Sequence, residues 1–219
     1  MLDYLGQAGA RLVVIDIVLA GPREGDARLA AALTGGPPVV LAAAGLRQRA
    51  AVELVPASAA ELRAFERLGA GPAPGLDWDA LTAPTDLLLD ALAALASLGV
   101  VSVALDDDGL LRHLPLLHRV QGRSLPSLAF AARLRADGVP AWRYEAGALV
   151  AGERRWPVDG QGRVRLRLPL ATAGEGGALR VSWQRLMRAA LGEAEDADLA
   201  RLLAGGGVFV GSSAFFADE

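Results

Sequence analysis

Arg11-Leu12-Val13-Val14-Ile15-Asp16-Ile17-Val18-Leu19 is an apolar run of strand length, rich in β-branched residues, with one carboxylate inside it. A strand with one wet face alternates apolar and polar residues. This run does not, so it reads as a strand covered on both faces, as in a parallel sheet. Gly21-Pro22 ends it, Asp26 is expected to cap a short helix over 27–33, and Gly35-Gly36-Pro37-Pro38 breaks that helix. Val39-Val40-Leu41-Ala42 then reads as a second buried strand. Strand, helix and strand in that order are the start of an α/β fold.

The same reading extends along the chain. Ser58-Ala59-Ala60-Glu61 is a capping box opening a helix that stops at Gly69, and 70–84, rich in Gly and Pro without a period, reads as a loop. Segment 87–105 is apolar except for Asp90, Ser97 and Ser102. A membrane span needs about 20 such residues. A helix ending at Leu98, a Gly99 stop and a strand over 100–105 fit better, because Asp90 is costly in lipid and Gly99 stands where a helix C′ residue belongs.

Beyond the turn Asp106-Asp107-Asp108-Gly109, a strand is predicted over 114–120, a turn at Gln121-Gly122, and a helix over 126–136 that ends at Gly138. Ala148-Leu149-Val150 and Arg154-Arg155-Trp156 flank Ala151-Gly152 as an antiparallel pair. Asp159-Gly160 leads into Arg163-Val164-Arg165-Leu166-Arg167-Leu168, whose strict alternation predicts one buried and one wet face. Ser182 is expected to cap a helix with Trp183, Leu186, Met187, Ala190 and Leu191 on one stripe. A last helix near 198–203 precedes Val208-Phe209-Val210, read as a final buried strand. The expectation is an α/β fold: residues 1–219 form a single domain with a mixed parallel/antiparallel sheet flanked by helices.

Composition narrows the function classes. Of 219 residues, 53% are apolar and 21% charged, which allows a sizeable core and argues against wholesale disorder. The net charge of −3 gives no bulk basic field for nucleic acid, although all 22 basic residues are arginine. The absence of cysteine excludes a disulfide framework, a thiolate zinc site and a cysteine nucleophile. Met1-Leu2-Asp3-Tyr4 has neither the basic nor the apolar region of a signal peptide.

Motifs for catalysis are weak. Gly205-Gly206-Gly207 precedes its strand, whereas a phosphate-binding loop follows one. Gly211-Ser212-Ser213-Ala214 lacks the second glycine of a nucleophile elbow. An EF-hand read from Asp106 would place Leu117 where a bidentate Glu belongs. His113 and His118, five apart on a predicted strand, point to opposite faces and read as structural histidines. Asp16 is the most informative residue: a carboxylate in a buried strand needs a partner. It reads either as a nucleophile or metal ligand, or as a side chain bonded to a neighbouring loop or arginine. A haloacid-dehalogenase-type phosphatase would carry a second Asp where Val18 stands. Arg163, Arg165 and Arg167, with Arg154 and Arg155 nearby, read as a solvated face that can also attract an anion.

Several segments, in order, resemble the second type of CHASE domain, the cyclase/histidine-kinase-associated sensory extracellular domains. They are Gly9–Leu19 with Asp26-Ala27-Arg28-Leu29 and Val39-Val40-Leu41-Ala42; Leu98-Gly99-Val100-Val101 leading to Asp106-Asp107-Asp108-Gly109-Leu110-Leu111-Arg112 and Leu125-Pro126-Ser127-Leu128-Ala129; Pro157-Val158-Asp159-Gly160; and Gly207-Val208-Phe209-Val210-Gly211-Ser212-Ser213-Ala214. Family members begin with a membrane helix and an early strand carrying a Trp-Pro-Trp-like motif. Nothing here matches that segment, so the chain is expected to be N-terminally incomplete.

The resemblance implies an extracytoplasmic (periplasmic or extracellular) sensor of a bacterial receptor, held between membrane helices absent from this chain. It implies a cytoplasmic cyclase or kinase output, an unknown small-molecule or envelope ligand and the capacity to form a homodimer. No catalytic residue, no metal, no cofactor and no nucleic-acid partner are expected. Recognition is expected at polar strand-end loops, through Asp16, Asp26, Asp108 and Arg112. The alternative is a small α/β hydrolase or phosphatase using Asp16, with Asp26 or Asp108 and a divalent metal.

Overall fold

The computed structural model describes residues 1–47, 73–92, 98–139, 141–166 and 179–212. The capping box at Ser58 and its helix, together with Arg167, Leu168, Ser213 and Ala214, lie outside the described residues.

The expected first strand is β1 (Leu12–Val18), and β2 (Val39–Leu46) runs parallel beside it. On its other side β1 pairs in parallel with β13 (Gly207–Gly211), and β2 pairs in parallel with β5 (Leu98–Val100). The parallel order is therefore β13-β1-β2-β5. β4 (Ala80–Thr82) adds antiparallel to the far end of β2. With its antiparallel members, the fold is the expected α/β arrangement.

Both faces of the parallel sheet are covered, which is why β1 reads as a continuous apolar run. One face carries Leu12, Val14, Val40 and Ala42 against Leu128, Ala131 and Ala132 of α4 (Leu128–Ala136). The other carries Val13, Ile15, Val39 and Leu41 into the larger core. α1 (Leu2–Gln7) supplies Leu2 and Leu5 to that core, α2 (Asp26–Gly35) supplies Ala30, and α3 (Asp86–Ala91) supplies Leu88 and Leu89. α5 (Trp183–Ala190) and α6 (Ala197–Leu203) add Leu186, Leu199 and Leu203.

The remaining strands form small antiparallel units. β10 (Ala148–Ala151) is buried along its whole length between β9 (Arg143–Glu145) and β11 (Arg154–Pro157). β12 (Arg163–Arg165) pairs with β6 (His113–Pro115). β7 (Leu117–Val120) lies between β3 (Leu76–Trp78) and β8 (Arg123–Pro126), joined to β8 by left-handed Gln121 (φ 49) and Gly122 (φ 77). Trp156 meets Phe130 of α4 edge to face at 5.3 Å, tying the β10 unit to the helix.

Several expectations are corrected. Gly99 is not a helix stop but the middle of β5, and 101–105 form no strand. A Cβ at Gly99 would stand 2.5 Å from Leu128 Cα and 2.8 Å from its N, so this glycine lets β5 and α4 close together. The presumed loop 70–84 contains β3 and β4, and the predicted strand 114–120 is split at Leu116. Gly25 (φ 98) is the N-cap of α2, and Asp26 is its first helical residue. β13 is not buried: it alternates between exposed and half-buried residues because it is the sheet's edge. Ser182 does cap α5, accepting from Arg185 N at 3.2 Å, but the inner face is Leu186 and Ala189 while Trp183 and Leu191 are exposed.

Candidate ligand-recognition site

β1 outruns the cover of α4. Its first four residues are buried, but Asp16 and Ile17 emerge at its carboxyl end. The expectation that Asp16 is a buried carboxylate is thus overturned: the strand has left the two-sided core by that point. Asp16 borders a cavity of about 200 Å³ whose walls include Val101, Val103, Leu114, Leu128 and Phe209. The cavity sits where β1, β5 and β13 end and α4 begins, the usual place for ligands in an open α/β sheet.

Hydrogen bonds fix its walls. Val101 N donates to Ala43 O (2.8 Å). Ser102 Oγ accepts from Gly45 N (2.8 Å) and donates to Gly45 O (3.2 Å), so 101–102 is held to β2. Ser127 caps α4 by accepting from Phe130 N at 3.3 Å. Among the described residues, the Asp16 carboxylate makes no hydrogen bond or ion pair.

The other expected recognition residues have different surroundings. Asp26 Oδ2 accepts from Arg23 N (3.1 Å) and Thr85 Oγ1 (3.4 Å), joining the start of α2 to that of α3. Asp108 and Arg112 do meet, with Arg112 Nη2 2.6 Å from Asp108 Oδ2. That hydrogen bond holds the Asp108 carboxyl below the usual carboxylate range and raises the Arg112 guanidinium. The four residues therefore do not form one polar cluster; Asp108 and Arg112 pair, while Asp16 and Asp26 stand in separate settings.

The residue that organises the acidic turn is Asp106, which is not among the expected recognition residues. Its carboxylate accepts from Arg112 N (3.2 Å), lies 3.3 Å from His113 Nδ1 and 3.7 Å from Arg112 Nη1, and is 3.9 Å from Arg163 Nη1. Desolvation pushes this carboxyl up, but the bond to His113 and the Arg112 amide outweigh it, leaving it below its ordinary value. Val103 and Leu114, the residues flanking this turn, both line the cavity. Two arginines of the predicted basic face are spent locally, Arg163 on Asp159 (2.8 Å) and Arg154 on Asp137 (3.0 Å), and Arg155 donates to the Glu145 and Ala146 carbonyls.

His118 is fully buried on β7, and its Nδ1 accepts from Trp78 Nε1 at 3.0 Å. The proton of neutral His118 therefore sits on Nε2, which has no partner. Desolvation lowers this imidazole to about 4. The histidine is a neutral core group.

No group of three His, Asp or Glu side chains able to hold a metal ion occurs among the described residues. Nothing around Asp16 favours the hydrolase alternative. No helix among the described residues is long and apolar enough to cross a membrane.

The structure is thus an α/β layer with a small cavity at its strand ends. The chain belongs to the CHASE2 domain family, whose model matches residues 1–218. It is therefore an extracellular sensory domain of the kind carried by signalling receptors. No curated protein and no solved structure matches it.

Proposed function

We propose that this domain binds a small molecule or another envelope component outside the cytoplasmic membrane of a bacterium, and that a cytoplasmic cyclase or kinase reports the occupancy. The match of nearly the whole chain to a family of sensory modules carries this reading. The strand-end cavity with its unspent carboxylate supports binding as the domain's own task. In this reading the domain binds without catalysing, pairs with a second copy, and is held by membrane helices outside the sequence.

A ligand alters output only if it binds two arrangements of the receptor unequally, and a tenfold bias takes about 1.4 kcal/mol of differential binding. The test is to read the coding DNA on both sides of this segment. Membrane helices, followed by a cyclase or kinase, are the expected result. Stop codons close to both ends with no apolar flank would refute the proposal.

A further inference from the structure

We infer that the cavity at the carboxyl ends of β1 and β5 receives a compact organic ammonium ion, with Asp16 as its counter-charge; this deepens the sensor reading and rests on it. The chain carries 22 arginines, and they hold many of its aspartates: Asp77, Asp108, Asp159 and Asp196 each have a guanidinium within 2.8 Å. Among the described residues, Asp16 has none and no basic side chain lines the cavity. The cavity's two hydroxyls are already engaged, Ser102 with Gly45 and Ser127 with the α4 amide of Phe130. Asp16 is thus the charged group with acceptor capacity to spare.

Register adds a second feature. Val14 pairs with Phe209 and Asp16 with Gly211, so the Phe209 ring and the Asp16 carboxylate project from the same face of the sheet. Gly211 puts no side chain between them; a Cβ there would lie 3.5 Å from Asp16 Cβ. A cation seated here meets a carboxylate and an aromatic ring together, and both attract it.

The start of α4 opposes this, since a helix N-terminus favours anions. Its charge is only about half an elementary unit, against a full unit on Asp16, so the net field favours a cation. The cavity is small, about 200 Å³, which favours a compact ligand. The predominantly apolar walls require the rest of the ligand to be apolar.

Three probes with one body and three charges test this: 2-phenylethylammonium, 2-phenylethanol and phenylacetate. Each is titrated into the full chain by calorimetry, with amide NMR shifts of 101–103, Leu128 and Phe209 locating the site. The ammonium ion should bind at least tenfold tighter than the alcohol, and phenylacetate weakest. Asp16→Asn should remove the tenfold advantage, while Asp107→Asn, in the exposed turn, should not. Because the Asp16 carboxylate has no partner among the described residues, its variant should keep the wild-type NMR spectrum outside the cavity. Equal binding of the alcohol or phenylacetate would overturn the ammonium assignment, and no shift at the cavity with any probe would overturn the site. Neither result touches the sensor reading, which is decided by the flanking sequence.

Discussion

His118 makes the stability of the fold depend on pH in a calculable way. In the folded chain its imidazole is lowered to about 4 by burial, against an ordinary value of 6.5. Above pH 6.5 it is neutral in both folded and unfolded chains and costs nothing. As pH falls below 6.5 the unfolded chain takes up a proton that the folded chain refuses, so stability drops until about pH 4 and then levels off. The slope cannot exceed one proton, about 1.4 kcal/mol per pH unit, and the total loss is about 3 kcal/mol. Protonating Nδ1 would also set two N–H donors against each other, because Trp78 Nε1 already points at that nitrogen. Urea unfolding at pH 8, 6.5, 5.5 and 4.5 should be run on the wild type and on His118→Gln. The glutamine can still accept from Trp78 but does not titrate. Other carboxylates contribute acid sensitivity to both proteins, so the difference between the two curves is the measurement. It should grow by about one proton's slope below pH 6.5, and the His118 ring proton should titrate near 4 by NMR. Parallel curves, or a ring midpoint near 6.5, would refute the burial of His118 and its Nε2-protonated tautomer.

Gly99→Ala should destabilise the chain by about 2 kcal/mol in urea unfolding, since the new methyl would meet Leu128 backbone at 2.5 Å; a loss under about 0.5 kcal/mol would mean β5 and α4 are not in close contact. Ser127→Ala should cost about 1 kcal/mol through the lost α4 cap, with Ser127→Asp restoring part of it; equal stability of all three would deny the cap a role. Asp196, which accepts from Leu199 N and holds Arg185 at 2.6 and 2.8 Å, should titrate at about 2 in a carboxyl NMR titration. Its contribution to stability is present above the ordinary carboxylate value and lost as pH falls through about 2; a midpoint near 4 would show that the pair is not formed in solution.

The layer order was legible where burial is two-sided. β1 and β2 are apolar at consecutive positions because helices cover both sheet faces, and that requirement leaves its mark on composition. Short strands leave none: β3, β4 and β9 have three residues each, too few to show a period. Gly99 was misassigned for a physical reason, because a helix stop and a close strand–helix approach both call for a missing Cβ. Phe209 was misplaced by its chemistry. Val-Phe-Val reads as buried, but exposure depends on where β13 falls in the strand order, and the edge position comes from pairing with β1 alone.

The same distinction separates the residues of the candidate site. Asp16 stood out because a carboxylate in an apolar run breaks a local pattern, and that signal was correct about its singularity. It was wrong about burial, since the length of strand covered by α4 is set by Gly99 and Leu128, more than 80 residues away. Asp108 and Arg112 are four apart across one turn, so their pairing was within reach of local reading. Asp106 was not: Arg112, His113 and Arg163 reach it from two segments joined only when β6 pairs with β12. Its importance is therefore a property of that pairing. Because β6 also contributes Leu114 to the cavity wall, a change that loosens Asp106 acts first on the β6 side of the cavity and leaves Asp16 on the sheet unmoved. Asp106→Asn should accordingly alter ligand affinity through the wall while preserving the preference for a cation, and that separation distinguishes a positioning residue from the counter-charge.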